Sequence, residues 1–349
     1  MAETFETLKQ QVLAGEALTP EEATTAFTAL LSGQLDAVDI TAFLVALKVR
    51  GETTEEILGA VRVLRQSCDP SLAPPGAIDT CGTGGDGLHT LNISTTAALV
   101  LAAGGVPVAK HGNRSVSSRS GSTDVLGALG VKTEQSKTQL KQALQRFNIA
   151  YMNAPAFHPT MATVAPIRRQ LAARTIFNLL GPMANPAGVK RQLIGTYDLK
   201  WCAPMANVLR ALGSTKAWVV HGADGQDEMS ICGPTHVVEL DGGAISTFTV
   251  SPSDAGLAEH GIGDIAGGDS AFNAAAMRRV LSGDEGAYRD AVMLNAGAGF
   301  YVAGVVDDLL GGAQKAGEIL SSGLGLVILD DWANFTQITD LEAKDEKSS

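Results

Sequence analysis

The chain has 349 residues, of which 45% are hydrophobic and 18% charged, with a formal net charge of -11. That length and balance suit about two globular domains with a sizeable core. The excess of acid disfavours nonspecific contact with nucleic acid or an anionic membrane, so any phosphate site must be a local concentration of backbone N–H groups, basic side chains or metal. Cys68, Cys81, Cys202 and Cys232 are too scattered for a zinc pattern and read as reduced thiols. The N-terminus, MAETFETLKQQ, has no basic region ahead of an apolar core, and the longest apolar stretch, around Thr95 to Ala109, is interrupted by Gly104, Gly105 and Pro107. Neither a secretory signal nor a membrane span is expected, and the expected location is the cytoplasm.

In chain order, residues 1–73 read as a small helical domain. Thr19-Pro20-Glu21-Glu22 can cap and open a helix, with Glu22 closing a capping box; apolar residues Ala23, Phe27, Leu30 and Leu31 follow at helical spacing. A second helix carries Ile40, Phe43, Leu44 and Leu47 and stops at Gly51; a third starts at Thr53 or Thr54. After Pro74-Pro75-Gly76 the texture changes. Short apolar runs such as Gly76–Thr80, Gly105–Lys110, Ile149–Asn153, Gln192–Tyr197 and Ala217–His221 alternate with helical patterns. This predicts an α/β domain over residues 74–340 with a mostly parallel central sheet. A helical segment near 155–185 returns to the bundle, two or three alanine-rich helices follow Asp269, and residues 341–349 form a charged tail.

Three segments carry chemistry. The run Asp79-Thr80-Cys81-Gly82-Thr83-Gly84-Gly85-Asp86-Gly87 follows a strand and formally satisfies GxGxxG. It departs from a dinucleotide loop: the helical pattern opens only near Ile93 or Ser94, and Lys110 stands where an acidic ribose ligand is expected. The glycines can form an anion-binding nest or a plain tight turn, and Asn92-Ile93-Ser94-Thr95 offers a helix N-terminus that favours anions. Asp86 would be repelled by a bare phosphate and makes sense near a cation, sugar hydroxyls or an amine. Next, Lys110-His111-Gly112-Asn113-Arg114 closes a strand and leads into Ser115, Ser117 and Ser118, a basic cluster in an acidic chain; Ser122 opens a further helix. Finally, Asp227-Glu228 follows a strand end at His221-Gly222. On a strand the two carboxylates would diverge; on a turn both could meet a hard cation such as magnesium.

The strings DTCGTGGDG, NISTT, KHGNRSVSSRSGS, RTIFNLLGP, QLIGTYD and VHGADGQDE occur in this order. Together they resemble the anthranilate phosphoribosyltransferases, and the likeness runs from about residue 8 to at least 325. The resemblance implies transfer of phosphoribose from 5-phosphoribosyl 1-diphosphate to the amine of anthranilate, releasing pyrophosphate, in tryptophan biosynthesis. It implies a donor site of Gly82, Gly84, Gly85, Asp86, Thr90, Asn92, Ile93, Ser94, Thr95, Lys110, His111, Gly112, Asn113, Arg114, Ser117, Ser118 and Ser122. Magnesium would be held by Ser94, Asp227 and Glu228. An anthranilate site would use Gly82, His111, Asn113, His158, Arg168 and Pro182. No nucleophile is assigned, because an aromatic amine is already neutral at pH 7. Arg169 and Arg174 read as surface charge or a structural ion pair. A homodimer through the helical domain is also implied, with no nucleic-acid or membrane partner. Two departures stand out: Leu171-Ala172 replaces the family's usual Leu-Gly, and Gln226 replaces the common leucine before Asp-Glu. A pyrimidine nucleoside phosphorylase, the nearest rival, would show a KHSTGG-type string that is absent here.

Overall fold

The computed structural model of the chain describes residues 2–114 and 119–345. Four helices come first: α1 (Ala2–Leu13), α2 (Pro20–Leu31), α3 (Ala37–Arg50) and α4 (Thr54–Arg65). Thr19 and Thr53 cap α2 and α4, and Glu22 and Glu56 complete a capping box at each start. Helices α2 and α4 touch closely because Gly59 leaves room; a Cβ there would sit 2.5 Å from that of Ala23. The bundle core is a chain of tilted and edge-on rings, Phe5 to Phe43 to Phe27.

Then follow β1 (Ile78–Gly82), α5 (Ile93–Ala103), β2 (Val108–Gly112), α6 (Ser122–Ala128), α7 (Lys137–Phe147) and β3 (Ile149–Asn153). The chain next passes through α8 (Ala154–Phe157), α9 (Ala165–Leu171) and α10 (Phe177–Met183), where Phe177 packs edge-on against Phe27 and so joins the bundle. Strand β4 (Arg191–Gly195), α11 (Cys202–Ala211) and β5 (Lys216–Gly222) return it to the sheet. Strands β6 (Thr235–Asp241) and β7 (Ala244–Val250) form a hairpin, and α12 (Ser270–Leu281), α13 (Ala287–Ala303), α14 (Leu309–Ser322) and α15 (Leu324–Asp345) complete the described chain.

The sheet order is β3-β2-β1-β4-β5-β6-β7. Pairs from β3 to β5 are parallel, and β5-β6 and β6-β7 are antiparallel. A helical domain with a mostly parallel sheet is the architecture the sequence predicts. Side chains alternate across the sheet: Leu193, Trp218, Val220 and Val237 face the core under α5 and the C-terminal helices, whereas Ile194, Ala217, Val219 and Val238 face α10, α11 and the bundle. No described helix is long and apolar enough to cross a membrane.

The structure differs from the sequence expectations in three places. The β6-β7 hairpin adds two strands, joined at Gly242-Gly243, whose positive φ values of 55° and 92° suit a tight two-residue turn. Four helices rather than two or three follow Asp269. The charged tail expected from residue 341 is the end of α15 as far as Asp345.

Candidate active site

Strand order reverses between β1 and β4, and open α/β sheets bind ligands outside the carboxyl ends of strands at such a point. Both strands end in glycine here, and Gly82 pairs in register with Gly195. The reason is steric. A Cβ on Gly82 would collide with the Asp227 carboxylate, and one on Gly195 would collide with the Asp227 backbone carbonyl. The two glycines make a slot that seats the turn carrying Asp227 and Glu228. The pair lies on this turn and not on β5. Asp227 Oδ2 accepts from the Gly84 N–H at 2.6 Å, and Glu228 Oε1 accepts from the Ser94 N–H at 3.2 Å. The turn thus joins the glycine loop to the start of α5, where Asn92 makes no side-chain cap and Glu228 caps the first turn instead.

Burial and like charge set the electrostatics of this turn. Burial pushes the Asp227 carboxyl well above its ordinary value, and the neighbouring Glu228 and Asp86 carboxylates add to the push. Burial also raises Glu228, against the pull of Lys110 and of the hydrogen bond from Ser94. Lys110 is 2% exposed and donates to the Thr80 carbonyl. Among the described residues no three acidic, histidine or cysteine side chains cage a metal by themselves. That fits magnesium, which usually takes one or two carboxylates and completes its shell with water and substrate phosphate. Raised carboxyls, hard oxygen donors and the Ser94 hydroxyl are a donor set suited to that ion.

Beside these residues lies a second cluster, built around the end of α10. Five consecutive carbonyls there each accept from a different side chain. Gly181 receives His111 Nδ1 at 3.0 Å, Pro182 receives Gln192 Nε2 at 2.7 Å, and Met183 receives Arg65 Nε at 2.6 Å. Ala184 receives His158 Nε2 at 3.1 Å, and Asn185 receives Cys68 Sγ at 3.2 Å. A carbonyl only accepts, so each imidazole carries its proton on the nitrogen facing α10. The opposite nitrogens, His111 Nε2 and His158 Nδ1, are buried bare acceptors with no described partner. The two rings meet edge-on at 5.3 Å between centroids. Burial, helped by the neighbouring His158, lowers His111 to about 3, and burial lowers His158 as well. Both rings are neutral. Arg168, at the end of α9, lies 5.4 Å from the Phe177 ring of α10; burial is the sole influence on it, with no carboxylate partner beside it among the described residues.

Two family models match the chain: a glycosyl transferase helical bundle domain over residues 7–68 and a glycosyl transferase a/b domain over residues 74–326. An anthranilate phosphoribosyltransferase of Methylocella silvestris is 51% identical over 309 residues, 88% of each chain. One from Azorhizobium caulinodans is 47% identical over 335 residues, 96% of this chain and 97% of its own. The chain belongs to the anthranilate phosphoribosyltransferase family. Among solved structures, the Thermus thermophilus anthranilate phosphoribosyltransferase superposes with a TM-score of 0.88 at 41% identity, covering 95% of this chain and 99% of that one. The Saccharomyces cerevisiae enzyme in complex with phosphoribosyl diphosphate and magnesium gives 0.87 at 27% identity, covering 97% and 99%. The chain is an enzyme, a phosphoribosyltransferase of tryptophan biosynthesis.

The residues that the family resemblance singles out fall into distinct settings. Gly82, Gly84, Gly85, Asp86, Ser94 and Lys110 gather with the acidic pair, and Asp86 sits beside Asp227, whose carboxyl its charge pushes up. Ile93 and Thr95 are buried, so their main chain is what α5 offers. Asn92 is differently engaged: its amide donates to the Ser120 carbonyl and accepts from Asn273, so it ties loops together. Thr90 bridges to Ala266. Gly112 is a close approach, where a Cβ would lie 2.7 Å from the Tyr151 hydroxyl, and Ser122 bonds that hydroxyl and the Asn113 carbonyl. Arg114 is exposed, with its N–H on the Asn113 side chain. His111, His158 and Pro182 meet at α10, and Arg168 joins them through Phe177. Ser117 and Ser118 lie outside the described residues.

Sequence reasoning missed four contributors. Gly195 makes half of the Asp227 slot. Asp79, fully buried, accepts from the His111 N–H and from Asn185, and burial pushes its carboxyl up despite the nearby Lys110. An acid inside the apolar run Ala77-Ile78-Asp79 was the available signal for it. Gln226, the departure from leucine, is buried and donates to Asp224 and Ser230, bracing the acidic turn. Arg174 is neither loose surface charge nor an ion pair: it stacks 4.0 Å from the Tyr197 ring centroid and donates to the Gly85 carbonyl.

Proposed function

We propose that the slot at the β1/β4 switch point seats 5-phosphoribosyl 1-diphosphate with magnesium, and that the α9–α10 side seats anthranilate. The observation that carries this reading is the acidic turn. Two carboxyls driven up by burial, beside the N-terminus of α5 and a glycine loop, make an arrangement that a divalent cation and a diphosphate relieve together. Ser94, Asp227 and Glu228 would hold the magnesium, which supplies positive charge to the leaving diphosphate. Lys110, fixed to Thr80 by one donor, keeps others for the diphosphate.

The bond from the anomeric carbon to pyrophosphate breaks and a bond from that carbon to the anthranilate nitrogen forms. Arg168 offers an unpaired guanidinium for bidentate binding of the anthranilate carboxylate. His111 Nε2 and His158 Nδ1, buried and without a described partner, would accept the amine hydrogens once the amine reaches them, and neutral imidazole suffices because an arylammonium is a strong acid. Two copies pair through the bundle, a reading supported by Val38 and Val49 of α3, exposed at 76% and 81%. The four free thiols suit the cytoplasm.

The test is loss of anthranilate fluorescence with phosphoribosyl diphosphate, with and without magnesium, in wild type and Arg168→Ala. The expected result is magnesium-dependent loss in wild type, with the anthranilate KM raised roughly tenfold to a hundredfold in the variant, the scale of a lost charged hydrogen-bond pair. An unchanged KM removes Arg168 from the site, and magnesium-independent turnover removes the metal.

A further inference from the structure

We propose that Arg174 is a positioning residue that couples the diphosphate loop to the acceptor helix, so that filling one side of the cleft orders the other. The proposal rests on the functional reading above. Arg174 follows α9, whose Arg168 faces the acceptor side. Its guanidinium reaches the donor side, against Tyr197 and the Gly85 carbonyl. Tyr197 is itself fixed to that side: its N–H donates to Thr83 Oγ1 at 3.0 Å, and the Thr83 N–H donates to the Gly195 carbonyl at 3.0 Å. The Arg174 carbonyl accepts from Lys48 Nζ of α3 at 2.8 Å. One residue therefore touches the bundle, the acceptor segment and the glycine loop.

The loop needs such a clamp. Gly84 and Gly85 hold φ values of 67° and 82°. Glycine visits both signs of φ with similar ease, so the loop's own chain does not select this conformation. In a trans peptide the carbonyl and the following N–H point opposite ways. Holding the Gly85 carbonyl therefore fixes the direction of the Asp86 N–H, for which no described residue is an acceptor. An anion bound by that N–H favours the orientation that Arg174 favours.

The other arm of the link is stiff. Ala172 stands between Arg168 and Arg174 at φ 46° and ψ 31°, a left-handed conformation uncommon for a residue with a Cβ. Such a joint persists only where its surroundings over-determine it. Arg174 on one side and α9 on the other supply that constraint, so Arg174 passes the state of the glycine loop to the end of the helix that bears Arg168. Arg174 and Ala172 are both exposed, which separates this role from core packing.

Calorimetry with inorganic pyrophosphate plus magnesium as the donor-side probe and anthranilate as the acceptor-side probe tests the link. Wild type should bind anthranilate about fivefold or more tightly once pyrophosphate is bound, a typical coupling. Arg174→Gln should bring that ratio to about one while changing the affinity for anthranilate alone by less than about twofold. Ala172→Gly, which leaves the Arg174 contacts in place, should reduce the ratio part-way. A ratio preserved in Arg174→Gln overturns the proposal, as does loss of anthranilate affinity without pyrophosphate, which would make Arg174 a direct acceptor contact. Wild type that binds both probes without coupling overturns the link alone. Wild type that binds neither overturns the functional reading and the link with it.

Discussion

The two sides of the cleft are built from different materials. The donor side is backbone and charge: glycines at strand ends and in a positive-φ loop, the N-terminus of α5, the neighbouring carboxyls of Asp86, Asp227 and Glu228, and Lys110 beside Glu228. The acceptor side is side-chain made and free of carboxylates among the described residues: two neutral imidazoles locked by the α10 carbonyls, a proline, and one guanidinium over a phenyl ring. The first is electrostatically unsatisfied without a ligand and depends on close approach. The second is already hydrogen-bonded to α10 and holds two buried lone pairs beside one guanidinium. Perturbations should therefore act differently on each: steric or charge changes remove the donor side, whereas the acceptor side tolerates change but shifts its proton chemistry.

The largest effect is expected on the donor side. Gly195→Ala forces the Asp227 turn out of its slot, and a displacement of about 1 Å costs turnover on the order of 100-fold. Steady-state kinetics with phosphoribosyl diphosphate, beside a circular dichroism melt, reads this. Near-wild-type kcat/KM in a folded variant would mean that the slot does not set the geometry.

On the acceptor side the sharper probe is pH. His111 is held at about 3 in the fold against an ordinary value near 6.5. The unfolded chain gains that proton below about 6.5 while the folded chain stays neutral until about 3. The contribution is thus present above the ordinary value and is lost as pH falls through that window, by up to about 1.4 kcal/mol per pH unit. His111→Asn keeps a donor for the Gly181 carbonyl and removes the titration. Its denaturant-derived stability should fall less steeply than that of wild type between pH 6 and pH 4, about one proton's worth of slope. Parallel slopes would mean that His111 is not held neutral.

The smallest effect lies at the joint between the two sides. Ala172→Gly relieves left-handed strain of roughly 1–2 kcal/mol and adds unfolded-chain entropy worth about 0.4–1 kcal/mol. A net gain of up to about 1 kcal/mol is expected in a thermal melt. Destabilisation would mean that the Ala172 methyl makes contacts that outweigh the strain.

Much of the donor side was legible in the sequence because its signals are local. Glycine after an apolar strand, a helix opening late at Ile93, and Asp-Glu after a strand end each announce their geometry within a few residues. The helical domain and the parallel strands were legible for the same reason, through periodicity and caps such as Thr19 and Thr53. What stayed hidden is non-local. Gly195 matters because Asp227 crosses over it, and Gln192 because Pro182 lies above it; neither partner is a sequence neighbour. The protonation pattern of His111 and His158 depends on carbonyls of α10, which side-chain motifs do not reveal. Arg174 looks like any helix-flanking arginine until Tyr197 and Gly85 are brought to it. The β6-β7 hairpin was a different miss, since Asp241-Gly242-Gly243 is a local turn signal.

The central claim is that the acidic turn is a strained, buried pair kept for a cation. Asp227→Asn with Glu228→Gln tests it most directly, by titrating magnesium pyrophosphate into the metal-free protein and melting both forms. The account predicts that the variant binds at least about 100-fold more weakly, the scale of lost electrostatic stabilisation, yet melts no lower than wild type without metal because the mutual repulsion is gone. A variant that binds magnesium pyrophosphate as tightly as wild type would contradict it.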